Sequence, residues 1–190
     1  MQSPCRPERL RLEPIFVGFA GRMGAGKTAA ARFLGSRYGF QYTRYSRVLR
    51  DLVGVRKRDR RSLQEAGSEL MVGGRQQELN ERLISSLDHS KSTAIDGLRH
   101  PVDHACLRSA FGGSFRLIFV QAAEQMRFER LRNKFTSREA FQAADLSPVE
   151  SHIDCLMPLS DIVIRNEQTI ELLCQQLEGW LSACWYREQI

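Results

Sequence analysis

The hydrophobic positions of this chain follow two different periods. Short, nearly continuous apolar runs, typical of strands buried on both faces, lie at residues 15–20, 93–95, 116–120 and 161–164. Residues 40–45 alternate apolar and polar side chains and predict one more strand. Helical spacing predicts helices over 27–38, 61–72, 75–88, 102–111, 124–134, 148–158 and 167–186. Strands therefore alternate with helices, which predicts an α/β protein with a mostly five-stranded parallel sheet covered on both faces.

One domain accounts for the 190 residues, because a single hydrophobic core usually holds ~100–200 residues. The 42% hydrophobic content is enough for a sizeable core. No internal repeat or linker composition divides residues 15–190. Residues 1–14 are rich in proline and arginine, and we expect them to form a flexible arm.

The formal net charge of +6 favours polyanionic partners such as nucleotides, nucleic acid or acidic membrane surfaces. Basic residues are concentrated between Arg44 and Arg61. This tract is compatible with a solvated surface, with a pocket for a phosphate-bearing ligand, or with RNA binding. Nucleic acid is the least favoured of the three, because few aromatic residues accompany the arginines.

The five cysteines are scattered without a C-x-x-C pair, which indicates free thiols in a reducing cytoplasm. The first residues lack the apolar segment of a signal peptide, and no apolar run approaches the ~20 residues of a membrane span. We therefore expect a cytoplasmic protein without a membrane partner, and a homodimer or a partner protein stays open.

Residues 21–28 read Gly-Arg-Met-Gly-Ala-Gly-Lys-Thr and fit the pattern G-x-x-x-x-G-K-[ST] between a predicted strand and a predicted helix. Glycines in such a loop let backbone N–H groups converge on polyphosphate oxygens at the positive end of the helix. The lysine would reach the β- and γ-phosphates, and the threonine hydroxyl would bind Mg²⁺. The motif predicts a P-loop NTPase with a three-layer α/β/α fold that binds ATP and Mg²⁺. The expected nucleotide-binding residues are Gly21, Gly24, Ala25, Gly26, Lys27, Thr28 and Ala29.

Asp96 follows a buried strand, and ligands of open α/β sheets lie beyond such strand ends. Its carboxylate can bind Mg²⁺ together with Thr28, or accept the proton of an attacking group. Arg99 lies three residues further on and can pair with a phosphate through its planar fork. A helix cap or a turn is the structural alternative for Asp96.

Arg127, Arg130 and Lys134 recur at helical spacing, so one helix face could close onto phosphates and exclude water. Dense positive charge is what phosphoryl transfer between two anions requires. A solvated basic helix is the alternative interpretation.

Several segments, in order, resemble P-loop kinases that phosphorylate monophosphates: the nucleoside monophosphate kinases and the dephospho-CoA kinases. The chain is most similar to phage-type deoxynucleoside monophosphate kinases and to archaeal dephospho-CoA-kinase-like proteins. The resemblance is carried by residues 45–50, by R-x-x-L-Q-x-x-G at 60–67, by D-G-x-R at 96–99, by the arginines of 127–132 and by 159–166. It implies an acceptor-binding insert at about 44–90 and a short helical lid at about 124–146.

The same resemblance implies acceptor contacts from Ser46, Arg50, Arg61, Gln64 and Arg99. It implies catalytic roles for Lys27, Asp96, Arg99, Arg127 and Arg130. Dephospho-CoA kinases usually carry D-A-D where this chain has Tyr45-Ser46-Arg47, which favours a nucleotide acceptor.

The sequence therefore predicts an ATP- and Mg²⁺-dependent kinase acting on a small phosphorylated acceptor, foremost a (deoxy)nucleoside monophosphate. One alternative is a P-loop regulatory or assembly subunit that binds nucleotide with little turnover. A dephospho-CoA kinase-like enzyme and an RNA-binding NTPase are further alternatives.

Overall fold

The computed structural model describes residues 13–54 and 60–187, without the side chains of residues 60–64, 72 and 185–187. Most of the predicted arm and the side chains of Arg61 and Gln64 lie outside the described residues. Within the described parts, no helix combines the length and the hydropathy needed to cross a bilayer.

Five parallel strands form one sheet in the order β2-β3-β1-β4-β5. The strands are β1 (Phe16–Ala20), β2 (Gln41–Arg44), β3 (Thr93–Leu98), β4 (Phe115–Gln121) and β5 (Ile162–Arg165). All five residues of the central strand β1 are buried, as its continuous apolar run predicts. The α/β fold class with a five-stranded parallel sheet is thus confirmed.

Eight α-helices connect or flank these strands in the described parts of the chain: α1 (Lys27–Tyr38), α2 (Tyr45–Val53), α3 (Arg60–Val72), α4 (Gln76–Ser85), α5 (Pro101–Phe111), α6 (Glu124–Leu131), α7 (Arg138–Asp145) and α8 (Ile170–Arg187). The first helix ends at Gly39 in the left-handed conformation, where the sequence predicts its end. The acceptor insert expected at about 44–90 contains α2, α3 and α4. The expected lid contains α6 and α7.

The sheet separates two hydrophobic layers. Phe16 and Ala20 of β1 join a core formed mainly with α2, α4 and α5. Val17 and Phe19 point to the opposite face, where α1 and α8 cover the sheet. This alternation along one strand produces the three-layer arrangement.

The helix predictions require correction in three places. Residues 148–158 do not form one helix but two short 3₁₀ turns, Pro148–Glu150 and Ile153–Leu156. Both the backbone N–H and the hydroxyl of Ser151 donate to the carbonyl of Pro148, which closes a tight local turn instead of an α-helical one.

Two helices have no counterpart among the predicted ones. Helix α2 begins at Tyr45, directly after β2, where the strand predicted over 40–45 was expected to end. Helix α7 is the second, and its first turn is capped by the hydroxyl of Ser137.

Candidate functional site

The loop between β1 and α1 lies at the carboxyl edge of the sheet. Gly21 (φ 131°) and Gly26 (φ 113°) have backbone conformations that side chains rarely adopt. A Cβ at Gly21 would overlap the carbonyl oxygen of Val120, and one at Gly26 would overlap the side-chain amide of Asn166. The loop is therefore packed against β4 and the end of β5, and only glycine fits at these two positions.

Lys27 begins α1 and reaches back across this loop. Its Nζ donates hydrogen bonds to the carbonyl oxygens of Gly21 (2.5 Å) and Arg22 (2.9 Å). The N-cap of α1 is Gly26, which has no side chain to cap the helix, and the N-terminus of a helix is a favourable place for an anion. The lysine and the helix terminus thus place positive charge at the same end of the loop.

Thr28 and Asp96, the predicted metal ligands, are in contact. The Thr28 hydroxyl donates to Asp96 Oδ2 at 2.7 Å, although 68 residues separate the two along the chain. Asp96 lies in β3 beside the loop and is only 3% exposed. Both side chains offer oxygen atoms, the ligands that Mg²⁺ prefers. The donor set therefore fits a magnesium ion bound together with a triphosphate.

Tyr42 of β2 is a third member of this cluster. Its hydroxyl donates to Asp96 Oδ2 at 3.0 Å, and burial, followed by the nearby Asp96 charge, raises the pKa of the phenol. Tyr42 therefore remains a protonated donor that helps to orient the carboxylate. Tyr42 was not predicted as a site residue.

Arg127 is held in a buried ion pair rather than displayed on an open lid face. Its Nη1 and Nη2 donate to the two oxygens of Asp145 at 2.7 and 2.9 Å, and the two side chains are 5% and 7% exposed. Nη1 also donates to the carbonyl of Met23 (3.2 Å), and Nε donates to that of Ala122 (3.2 Å). Arg127 therefore joins the lid to the glycine loop.

Arg22, a variable position of the motif, extends the same network. Its guanidinium donates to Asp154 (shortest distance 2.6 Å) and to the carbonyl oxygen of Asp145 (3.1 Å). These contacts, led by the hydrogen bond to Asp154, raise the pKa of Arg22. Asp145 Oδ2 also accepts from Arg22 at 3.4 Å, so this one carboxylate contacts an arginine of the loop and an arginine of α6.

Arg130 lies on the other side of the loop. Its Nη2 donates to the carbonyl oxygen of Asn166 at 2.8 Å, and the Asn166 side chain in turn donates to the carbonyl of Ala25 at 2.7 Å. Helix α6 ends at Leu131, and Lys134 belongs to the following 3₁₀ turn, so the predicted helix face does not extend to that lysine. Asn166, which directly follows β5, thus connects Arg130 to the glycine loop.

A cleft next to Gly97 is lined by two of the predicted acceptor residues, Ser46 and Arg99. Its walls are formed by α2, α3, α4 and the segment after β3, and they also include Gln76 and Asp103. Arg50 lies one helical turn after Ser46 in α2 but does not line the cleft, and its buried Nε has no hydrogen-bond partner among the described residues. Arg61 and Gln64 belong to α3, which forms one wall, but their side chains are outside the description.

Asp103 anchors the wall of this cleft. Its Oδ2 accepts hydrogen bonds from the backbone N–H groups of Arg99 (3.0 Å) and His100 (2.9 Å). Its Oδ1 accepts from the side chains of Gln76 and Asn80. Burial, reinforced by the Asp103 charge, raises the pKa of Tyr45, whose hydroxyl donates to Asn80. This network fixes α2, α4 and α5 around the segment that carries Arg99.

Arg99 points its Nε at Glu150, whose Oε1 accepts at 3.1 Å. The arginine side chain remains 32% exposed, whereas that of Glu150 is 1% exposed. Glu150 lies in the 3₁₀ turn Pro148–Glu150, which follows α7, and it was not predicted as a site residue. Tyr42 belongs to β2, the predicted strand that pairs with β3, whereas no sequence pattern marks Glu150, because it reaches the site from an irregular segment.

Solved structures provide the comparison for this fold. A shikimate kinase from Acinetobacter baumannii in complex with shikimate aligns with a TM-score of 0.54 at 14% identity, over 90% of this chain and 94% of that chain. A gluconokinase from Sinorhizobium meliloti aligns with a TM-score of 0.61 at 14% identity, over 93% and 97%. An APS kinase from Mycobacterium tuberculosis, in complex with AMPPNP and APS, aligns with a TM-score of 0.59 at 14% identity, over 90% and 98%.

At this identity the similarities establish the fold, which is that of P-loop kinases. No protein-family model matches the chain, and a search of curated proteins found no match.

Proposed function

We propose that this protein is a kinase that transfers the γ-phosphoryl group of ATP to a small phosphorylated acceptor, namely a (deoxy)nucleoside monophosphate. The observation that carries the proposal is the position of Asp96. It contacts Thr28 of the glycine loop, and it precedes by three residues Arg99, which lines the neighbouring cleft. A donor site and an acceptor site therefore meet at one strand end.

In the donor half, the loop N–H groups and Lys27 bind the triphosphate, while Thr28 and Asp96 hold Mg²⁺. The metal, when bound, neutralises charge on the phosphates. Gly97, the residue after Asp96, lines the cleft, so the Asp96 carboxylate is close enough in the chain to be the group that orients the attacking oxygen of the acceptor. The Tyr42 hydroxyl keeps this carboxylate in position.

In the acceptor half, Arg50 and Arg99 bind the acceptor phosphate beside Ser46. Arginine suits this task because its planar fork matches phosphate oxygens. For Arg127 we propose a positioning role, since its donors are engaged by Asp145 and by backbone carbonyls. Arg130, beside the glycine loop, is the candidate that neutralises charge in the transition state.

The structural neighbours suggest a second candidate, a kinase for a small hydroxyl compound. They are a shikimate kinase, a gluconokinase and an APS kinase, and of shikimate, gluconate and APS only the last carries a phosphate. Arg99 lines the cleft and Arg50 lies on α2, which forms one of its walls; these basic residues favour an anionic acceptor but do not require a phosphate. These compounds therefore belong in any acceptor screen.

The test is a coupled assay of ADP release with ATP, Mg²⁺ and a panel of acceptors. The panel contains ribo- and deoxynucleoside monophosphates, dephospho-CoA, shikimate, gluconate and APS. We expect release that depends on a nucleoside monophosphate and that falls by orders of magnitude in Lys27→Ala, while the variant stays folded. ADP release indifferent to every acceptor would instead support a nucleotide-binding regulatory subunit.

A further inference from the structure

Four acidic side chains of the described residues are buried near the site: Asp96, Asp103, Asp145 and Glu150. Asp103 and Asp145 receive donors on both carboxylate oxygens. Glu150 differs from them, because Oε1 accepts from Arg99 whereas Oε2 is buried without a hydrogen-bond partner. A buried carboxylate oxygen without a donor is costly, so a protein that retains one needs another group to satisfy it.

Glu150 is adjacent to two residues that line the cleft we assign to the acceptor, Val149 in sequence and Arg99 in space. The preceding residue, Val149, lines the cleft, and its side chain packs so closely against Gly67 of α3 that a Cβ there would approach it to 3.0 Å. Arg99, the partner of Glu150, lines the same cleft. The 3₁₀ turn therefore brings Glu150 against the wall that faces α2 and α3.

Two buried groups belong to elements that form the walls of this cleft, Arg50 to α2 and Glu150 to the turn that carries Val149, and they have opposite requirements. Among the described residues, the Nε–H of Arg50 has no acceptor and Oε2 of Glu150 has no donor. A ligand carrying only a phosphate would satisfy Arg50 and would repel the carboxylate. A ligand carrying an anionic group together with an N–H or O–H donor would satisfy both.

From this we infer that Glu150 is a specificity-determining residue, whose Oε2 accepts a hydrogen bond from an amino or hydroxyl group of the acceptor. The inference rests on the proposed function and refines its substrate class. The preferred acceptors are nucleotides that present a donor beyond their phosphate, either an exocyclic amino group on the base or a sugar hydroxyl.

The experiment measures binding by titration calorimetry, with the donor site filled by AMPPNP and Mg²⁺. Three matched pairs separate the sources of the donor. CMP against UMP and AMP against IMP exchange an amino group for an oxygen, whereas CMP against its 2′,3′-dideoxy form removes the sugar hydroxyls. Glu150→Gln keeps the size of the side chain and replaces an accepting oxygen with a donating amide. Glu81→Gln, at an exposed position of α4, is the matched control.

In the wild type, we expect at least one pair to differ in affinity by about tenfold or more in favour of the member with the donor. In Glu150→Gln that ratio falls by a similar factor, and in Glu81→Gln it is unchanged. Equal affinities in every wild-type pair would overturn the inference even if the variant failed to fold. Affinity ratios that stay unchanged in a folded Glu150→Gln would also overturn the inference, because Oε2 would then accept hydrogen bonds from water and not from the acceptor.

The outcomes also separate this inference from the proposed function. Selective binding without acceptor-dependent ADP release would remove the kinase assignment and leave the role of Glu150 intact. Acceptor-dependent ADP release, together with affinity ratios that are the same in the wild type and in Glu150→Gln, would support the kinase assignment and contradict the role of Glu150. Binding of none of the nucleotides would overturn both.

Discussion

Asp96 is the residue on which the two halves of the site depend. Its Oδ2 accepts hydrogen bonds from Thr28 of α1 and from Tyr42 of β2, so its orientation is fixed from two different elements. A neutral amide of the same shape can still accept such bonds, but it supplies no charge for a metal ion. Loss of the charge can therefore be separated from loss of the structure.

We predict that Asp96→Asn remains folded and that its turnover falls by about 10²-fold or more, with a higher Mg²⁺ requirement. The measurement is ADP release as a function of Mg²⁺ concentration, with thermal unfolding as the check on folding. Tyr42→Phe, which removes one donor to the same oxygen, should lower turnover much less. Near-normal turnover of Asp96→Asn would remove this carboxylate from the mechanism.

Asp145 is the residue whose loss should most affect stability. Breaking a buried ion pair leaves an unpaired charge, and the Arg127–Asp145 pair is almost completely buried. We expect Asp145→Asn to lower the free energy of unfolding by about 3 kcal/mol, measured by urea denaturation. The control is Asp154→Asn, whose side chain is 50% exposed and should cost no more than about 1 kcal/mol. Equal losses in the two variants would contradict the structural role assigned to Arg127.

Among the helices and strands, those with a strong periodic pattern were predicted close to their observed bounds. Strand β1 and helix α1 are examples, because a continuous apolar run and a terminal glycine leave few alternatives. Helix α7 was missed, although Ser137 and Glu139 are typical of a helix N-terminus. The reason is its length of eight residues, which contains too few apolar positions to show a helical period. The two 3₁₀ turns after it could not be told from a helix, since their local hydrogen bonds leave no period.

The site shows the same difference between residues that follow a regular sequence pattern and residues that tertiary packing alone brings together. Lys27, Thr28, Asp96 and Arg99 were predictable because a fixed motif and the ends of parallel strands meet at one edge of the sheet. The pairing of Arg127 with Asp145 depends on how α6 packs on α7, and α7 itself was not predicted. Glu150 comes from an irregular turn, so only tertiary packing places it beside Arg99.

Helix α5 offers a prediction about pH. Its N-cap is His100, whose Nδ1 accepts the N–H of Val102 at 3.1 Å and can do so only when unprotonated. Burial lowers the pKa of His100 and nearby His152 lowers it further, while Asp103 acts in the opposite direction. The unfolded chain therefore binds more protons, and the stabilisation is present above pH ~6.5 and is lost as the pH falls toward the depressed folded value.

We accordingly expect the melting temperature of the wild type to fall between pH 7.5 and pH 5.5. His100→Asn keeps a capping oxygen that does not titrate, so its melting temperature should fall less over the same range. The remaining fall reflects groups such as His104, whose pKa is also lowered by burial. Identical pH profiles for the two proteins would show that the α5 cap is not linked to protonation.

For the molecule as a whole, the carboxyl edge of the sheet joins parts that are distant in sequence. The glycine loop contacts β4 through Val120, the end of β5 through Asn166, and the lid through Arg127. A ligand that binds this loop only when it is folded should therefore stabilise the entire domain. The stabilisation follows mass action and is about 2.7 kcal/mol at a ligand concentration of 100 Kd.

For a chain of 190 residues, this stabilisation corresponds to a rise in melting temperature of about 5–10 °C. We expect AMPPNP with Mg²⁺ to produce this rise, measured by calorimetry, because on the proposed function Thr28 and Asp96 hold the metal that accompanies the triphosphate. Chelation of Mg²⁺ should reduce the rise, and Lys27→Ala should abolish most of it while leaving the unliganded melting temperature close to that of the wild type. A rise of equal size in Lys27→Ala would place nucleotide binding elsewhere on the molecule, because a site built on the loop cannot lose its lysine without losing affinity for the phosphates.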